Sequence, residues 1–178
     1  MSGFIRNFLT VLRALLSYAS ASPLSRIASH FWVTPFDTGL SKLKSDKYFQ
    51  LAEAAQFDYM VKTGLIGTTL KRSIHFVNLA QMVKFGKPIR LLSRVTVQSQ
   101  VLYADDKQVY FSHTLFAQGQ QCAEVLVKMK FKDGAVTVNP QTLLGPVALA
   151  KPPALQLWDD ALAERVDQAL DAQYANGL

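Results

Sequence analysis

The feature that most constrains the fold is a helical stretch at residues 46–63 that is apolar around nearly its whole circumference. Aromatic, aliphatic and alanine side chains occupy almost every face, and Gly64 follows where a helix commonly ends. An amphipathic surface helix keeps its apolar residues on one stripe, so a helix of this composition is buried. Ala52, Ala54 and Ala55 would let a sheet approach its backbone closely. The fold must therefore supply a layer that surrounds this helix.

Segments on both sides of this helix are β-like, and two of them alternate clearly with a period of two. The clearest alternation places Val125, Val127 and Met129 on one face and lysines on the other. The turn compositions at 105–107 and 132–134 predict hairpins. We expect strands at 30–33, 73–83, 93–98, 109–117 and 123–132. One strand, a buried helix and four strands joined by short turns predict an α+β fold with an antiparallel sheet curled around the helix.

The two ends of the chain are predicted to add helices to this domain. Residues 1–22 are interpreted as an amphipathic helix, residues 28–145 as the central domain, and residues 146–178 as an extension with an acidic amphipathic helix at 157–173. For the apolar stripe within residues 4–16 three readings stay open: a helix packed on protein, a membrane-surface helix, and a cleaved signal peptide that ends at Ala21. Arg13 interrupts the apolar run, and no uninterrupted run is long enough to span a bilayer.

The net charge of +6 conceals an asymmetry along the chain. From Trp158 onward there are five acidic residues and one basic residue, Arg165, so this tail carries −4 and the rest of the chain +10. A body this basic attracts an anionic partner, such as nucleic acid, anionic lipid or a phosphorylated small molecule like coenzyme A. Nucleic acid is disfavoured because the aromatic residues lie in core-like positions rather than among base-contacting arginines and asparagines.

Several classes of site are disfavoured by what the sequence lacks. Cys122 is the one cysteine, and His30, His75 and His113 have no metal-ligand spacing, so neither a disulfide nor a metal site is predicted. The nucleophile-elbow, dinucleotide and P-loop motifs are missing as well, and no cofactor is expected. The lone cysteine favours a reducing compartment. We therefore expect a cytoplasmic protein, with peripheral membrane contact through residues 4–16 as an open alternative.

The helix region resembles a known family. The sequence YFQLAEAAQFDYMVKTGL at 48–65, preceded by VTPFDTG at 33–39, is similar to the central helix and its entry loop in the 4-hydroxybenzoyl-CoA-thioesterase-like branch of the hotdog-fold acyl-CoA thioesterases. The resemblance covers about two-thirds of the chain, from residue 30 to residue 144, and is that of a divergent member. It implies the hotdog fold, in which a curved antiparallel sheet wraps a central helix, here with extra N- and C-terminal helices.

This resemblance also implies an activity and its residues. It implies hydrolysis of an acyl-CoA thioester at the interface of a homodimer, or of a dimer of dimers. Asp37 is then the first candidate for the catalytic carboxylate, and the backbone N–H groups of Lys44, Ser45 and Asp46 are candidates to polarise the thioester carbonyl. Gly39 stands where many members carry a second acid, so Asp37 has the alternative role of a turn residue.

A second candidate carboxylate lies within the helix itself. Glu53 is either catalytic, as acids in this helix are in other hotdog branches, or a buried acid paired with Arg94 or His75. The cations proposed to bind the phosphates of coenzyme A are Lys42, Lys44, Lys47, Lys87 and Arg90. Two non-enzymatic alternatives stay open: an acyl- or lipid-binding hotdog protein, and a membrane-surface adaptor.

Overall fold

The computed structural model describes residues 20–147 and 150–164, together with Thr10, Leu12 and Tyr18. The predicted N-terminal helix at 1–22 therefore falls almost entirely outside the described residues. The elements, in chain order, are β1 (Ile27–Trp32), a 3-10 turn (Pro35–Asp37), α1 (Ser45–Lys62), α2 (Leu65–Lys71), β2 (Ile74–Phe85), β3 (Arg94–Ala104), β4 (Val109–Ala117), β5 (Gln120–Asp133), β6 (Val136–Val138), α3 (Gln141–Leu144) and α4 (Pro153–Ala163).

The strands form one antiparallel sheet in the order β1-β3-β4-β5-β2, with β6 paired to the far end of β5. Strands β1 and β2 are therefore the two edges of the main path. The pairing register shifts once each in β2–β5, β3–β4 and β4–β5. Such irregularities bend strands and increase their twist, which helps the sheet to curl. The predicted α+β class and the curled antiparallel sheet are confirmed.

The helix α1 packs inside this curl, as its composition predicts. Ten of its eighteen residues are buried, among them Leu51, Tyr59 and Met60. The alanines at 52, 54 and 55 are also buried and give the sheet close access to the backbone. Burial is nevertheless incomplete, because Asp46 and Glu53 are exposed and Phe49 and Phe57 are only half-buried. The helix therefore keeps one open stripe instead of the fully buried surface that we expected.

Two short elements were missed by the sequence analysis. The helix α2 begins directly after Gly64, whose φ of 72° redirects the chain, and only Leu65 and Thr69 of α2 are buried. Seven residues with two buried positions carry too weak a period to predict a helix from the sequence. The three-residue strand β6 follows the predicted turn at 132–134, where Gly134 has a positive φ of 55°.

The edge strand β2 departs from the usual burial of an apolar strand. Its Val77, Leu79, Met82 and Phe85 are all exposed large hydrophobic residues. Along β5, by contrast, Val125, Val127, Met129 and Phe131 are buried while the alternating lysines at 128, 130 and 132 are half-buried and face outward, as predicted. An edge strand of twelve residues with exposed apolar side chains is prone to pair with another chain.

By its backbone contacts the chain divides into two units, Met1–Ala148 and Leu149–Leu178. The second unit contains α4, which begins at Pro153 rather than at the predicted residue 157 because proline is well suited to the first turn of a helix. The helix ends at Ala163, where Glu164 is an extended C-cap, and residues 165–173 of the predicted helix lie outside the described residues. Within that unit Lys151 donates to Asp159. In the described part of the chain, no helix is long and apolar enough to cross a membrane.

Candidate functional site

The start of α1 presents backbone donors at the end of an 18-residue helix. The first N–H groups of a helix have no acceptor within it, and the helix dipole makes this end electropositive. No acceptor for the N–H of Ser45 or Asp46 is found among the described residues. The N–H of Lys44 is different, because it donates to the backbone carbonyl of Asp37 at 3.1 Å. The prediction of a free backbone donor is therefore wrong for Lys44. The N–H groups of Ser45 and Asp46 remain candidates to polarise a carbonyl.

Asp37 lies beside this helix start but is only 2% exposed. One of its carboxylate oxygens, Oδ2, accepts from the backbone N–H of Thr34 at 3.0 Å and from the Thr34 hydroxyl at 2.7 Å. These bonds close the 3-10 turn at Pro35–Asp37. The arrangement is typical of a carboxylate that shapes a turn, which is the alternative that its position before Gly39 suggested.

Glu53 occupies the open stripe of α1 and is exposed. The expectation of a buried acid paired with Arg94 or His75 is wrong, since no such ion pair forms between these described residues. At about 1.5 Å per residue, Glu53 lies about 12 Å along the helix from Ser45. Both groups therefore cannot contact one thioester carbonyl within a single chain.

A tyrosine and its neighbours connect the helix start to the end of β2. Tyr48 is buried, and its ring meets that of Phe85 edge to face at a centroid distance of 5.1 Å. Burial raises the pKa of Tyr48, opposed in part by its hydrogen bond with the backbone of Ile89. The phenol therefore stays protonated near neutral pH, where it can donate a hydrogen bond.

Two of the predicted phosphate-binding cations are brought together by the backbone. Lys42 and Arg90 face each other in an antiparallel bridge, which the hydrogen bonds of Leu43 N–H to Ile89 and of Leu91 N–H to Ser41 flank. Lys44 is the exposed N-cap of α1. Lys42, Lys44 and Arg90 thus lie on the segments that border the helix start.

The remaining two predicted cations are engaged with neutral or acidic side chains. Lys47 donates to Gln50 at 3.0 Å and lies 3.7 Å from Asp46, in the first turn of α1. Lys87 donates to Gln120 at 2.7 Å, at the start of β5. Both ammonium groups thus lie at the end of the sheet where α1 begins, and each contacts a neighbouring side chain.

Buried polar clusters inside the fold were missed by the sequence analysis. Asp58 Oδ2 accepts from Ser29 Oγ at 2.5 Å and from Lys62 Nζ at 2.7 Å, which joins β1 to α1. On the sheet, Ser99 Oγ lies 2.8 Å from Nδ1 of His113, and the histidine is fully buried. Burial lowers the pKa of His113 to about 3. The signal in the sequence is the alternation along the two strands, which places Ser29 and Ser99 at inward-facing positions.

A groove of about 930 Å³ opens on the outer side of the sheet near the ends of β1 and β4. Aromatic, aliphatic and basic side chains line it together, including Trp32, Leu92, Phe116, Arg90 and Arg94. No local sequence pattern predicts this groove, because the segments that line it are distant from one another along the chain.

The helix α1 and the strands β2 to β6 lie in a stretch of the chain that matches a known family. A family model described as the thioesterase-like superfamily matches residues 42–162, which is more than half of the chain. The chain belongs to the thioesterase-like superfamily. This superfamily membership supports thioesterase chemistry in general terms and agrees with the resemblance seen in the sequence. Comparison with curated protein sequences finds no match.

Solved structures show the same hotdog fold at low sequence identity. The probable thioesterase YbaW from Escherichia coli has 17% identity and a TM-score of 0.61, over 66% of this chain and 92% of that chain. The BH1999 gentisyl-coenzyme A thioesterase has 17% identity and a TM-score of 0.59, over 67% and 100%. A hypothetical thioesterase protein with coenzyme A from Streptococcus pneumoniae TIGR4 has 11% identity and a TM-score of 0.51, over 60% and 81%. At these identities the likeness shows the fold.

Proposed function

We propose that this protein is an acyl-CoA thioesterase, with its active site at the start of α1 in the interface of a homodimer. The observation that carries the proposal is the pair of N–H groups on Ser45 and Asp46, which have no acceptor among the described residues. Preorganised donors at the positive end of a helix stabilise the oxyanion that develops on a thioester carbonyl. Membership of the thioesterase-like superfamily supports this use of the helix start.

The reaction also needs a carboxylate that water can reach. We favour Glu53, because it is exposed, whereas Asp37 is buried and bonded to Thr34. The carboxylate would take a proton from water as the water oxygen attacks the thioester carbon. The tetrahedral intermediate then expels the thiolate, the C–S bond breaks, and the proton passes to sulfur to give a free acid and a thiol.

Geometry within one chain supports a site that two protomers build. Glu53 lies about 12 Å along the helix from the donors of Ser45, yet both must come within about 3 Å of the reacting group. A helix start from one protomer and a Glu53 from its partner would meet this requirement. The exposed apolar edge of β2, with Val77 and Met82, offers the surface on which a second copy would pair.

Coenzyme A is the proposed leaving group because cations border the helix start. Lys42 and Arg90 face each other there, and Lys44 is exposed beside them, so phosphate groups would meet several positive charges. Lys47 and Lys87 would add charge from the same end of the sheet. The likeness to a gentisyl-coenzyme A thioesterase and to a hypothetical thioesterase protein with coenzyme A agrees with this choice.

The test is thiol release from acyl-CoA substrates by the wild-type protein and three variants. We expect Glu53→Gln to lower kcat by about 10²–10⁴ with KM little changed, the range typical of a general base. Asp37→Asn should lose less than about tenfold, because an amide oxygen can accept the same bonds from Thr34. Asp106→Asn, which changes an exposed carboxylate in the β3–β4 hairpin, is the matched control and should keep full activity.

A reversed ranking, with Asp37→Asn inactive and Glu53→Gln active, would restore Asp37 as the catalytic carboxylate. The second candidate function is an acyl- or lipid-binding protein without hydrolysis. The bonds that hold Asp37 to Thr34, and Gly39 where many relatives carry an acid, favour this alternative. A wild-type protein that binds acyl-CoA but releases no thiol from short, long or aromatic acyl-CoAs would establish it in place of the enzyme.

A further inference from the structure

Four large apolar side chains are exposed on segments that the backbone joins at the end of the sheet where α1 begins. Trp32 is 64% exposed, Phe36 78%, Leu40 104% and Leu92 69%. Scattered exposed apolar residues are ordinary, but a local group of them marks an interaction surface. We refer to these four residues as the apolar corner.

Backbone hydrogen bonds hold the corner together. Gly39 N–H donates to the Lys42 carbonyl at 3.1 Å, which places Leu40 at the tip of a tight turn. Leu92 N–H donates to the Val33 carbonyl at 3.0 Å, next to Trp32. The bridge between Lys42 and Arg90 joins the two segments. These backbone hydrogen bonds thus connect the segments that carry Trp32, Leu40 and Leu92.

Leu92 adopts a backbone conformation that leucine rarely takes. Its φ is 60°, in the left-handed region where glycine is favoured and other residues are strained. Burial does not repay this strain, because the side chain is exposed to solvent. Strained residues kept at a surface are a reason to look for function there. A leucine at this position offers an apolar contact that the glycine favoured by the backbone would lack.

The charges around the corner are positive. Lys42, Arg90 and Arg94 are all exposed, and the two arginines line the groove that also contains Trp32 and Leu92. In the sequence, residues 86–98 contain no acid, and residues 27–45 contain one, the buried Asp37. Exposed apolar tips among cations match the chemistry of an anionic phospholipid surface, where acyl chains lie beneath phosphate groups.

We propose that the apolar corner docks the protein on anionic phospholipid membranes. Leu40 and Leu92 would enter the headgroup layer while Arg94 meets lipid phosphates. The strand β2, on which the proposed dimer pairs, lies at the opposite edge of the sheet from β1, which carries Trp32. The inference does not rest on the proposed hydrolysis, since docking needs no thioester.

The test is co-sedimentation of the full chain with lipid vesicles. Wild-type protein should bind phosphatidylcholine vesicles that contain phosphatidylserine more tightly than pure phosphatidylcholine vesicles, and salt should weaken this binding. The double variant Leu40→Ser/Leu92→Gly should lower the partition coefficient at least about tenfold, since two apolar side chains that enter the membrane are lost. Glycine suits the φ of position 92, so the variant should fold, and its melting temperature would verify this.

The matched control is Leu70→Ser. Leu70 is 74% exposed, like the corner leucines, but it lies in α2, which follows the C-terminal end of α1. The 18 residues of α1 place that end about 27 Å from the start of α1. The Leu70→Ser variant should bind vesicles as the wild type does. Arg94→Gln is a second variant that leaves the leucines in place, and it should weaken binding to anionic vesicles alone.

Three results would overturn the proposal. One is a wild-type protein that binds no vesicles, or binds neutral and anionic vesicles equally. Another is a double variant that binds as tightly as the wild type, which would assign vesicle binding to a different part of the chain. The third is a double variant that dissociates a dimer in light scattering, which would assign the apolar corner to a second copy of the chain.

Discussion

We expect the buried histidine on β4 to make the free energy of unfolding depend on pH. Burial lowers the pKa of His113 to about 3, against 6.5 for the exposed side chain. The folded state therefore keeps the ring neutral where the unfolded chain binds a proton. Its contribution to stability is complete above pH 6.5 and is lost as the pH falls from 6.5 towards 3, by about 1.4 kcal/mol per pH unit.

Between pH 7 and pH 4.5 this histidine alone should cost about 2–3 kcal/mol of unfolding free energy, because the unfolded pKa lies about two units above the lower pH. The variant His113→Asn removes the titrating ring and keeps a polar partner for Ser99, which lies 2.8 Å from the ring nitrogen. We expect it to be less stable at pH 7, because the smaller side chain leaves space in the core. Its loss of stability on acidification should be smaller by those 2–3 kcal/mol.

The assay is urea unfolding at both pH values, followed by circular dichroism at one fixed protein concentration because the chain is proposed to dimerise. His75→Asn removes an exposed histidine and is the control, which should follow the wild-type pH dependence. If His113→Asn and the wild type lose the same stability between pH 7 and pH 4.5, the ring is not held neutral by burial and the reasoning is refuted.

Three further substitutions test other parts of the structure. Gly64→Ala should destabilise the fold by about 1–2 kcal/mol in urea unfolding, because alanine is strained at a φ of 72°; no loss would show that the chain leaves α1 differently. Asp58→Ala should cost about 2–3 kcal/mol in the same assay, since it leaves Ser29 and Lys62 without their shared acceptor. Met82→Lys should shift the proposed dimer to monomer in light scattering, because it places a charge on the apolar edge of β2; an unchanged dimer would place the interface elsewhere.

The fold class could be predicted from sequence because its signals are local. The alternation of Val125, Val127 and Met129 with lysines, and the buried helix that closes at Gly64, each lie within one segment. The turn at 105–107 is also local, and Asp105 accepts there from the N–H groups of Lys107 and Gln108. These features establish a curled sheet around a helix without any long-range information.

The site could be predicted only in part because its geometry depends on distant contacts. With apolar residues on nearly every face of α1, the sequence does not reveal which stripe the sheet leaves open, so the exposure of Glu53 was missed. The bond from Lys44 N–H to Asp37 depends on the path of a loop. The groove near Trp32 is formed by β1, the loop before β3 and the turn after β4. No local sequence pattern indicates that these segments lie together.

The order of elements along the chain also bears on how the protein is made. The apolar helix ends at Lys62, but β5, the central partner of β4 and β2, is complete only at Asp133. At about 5–20 residues per second, roughly 4–14 s of synthesis separate the two. Throughout that interval the nascent chain carries an apolar helix whose sheet does not yet exist. Chaperones that hold apolar segments at the ribosome would therefore act on this chain before β5 emerges, and a pause placed between α1 and β5 would raise its aggregation.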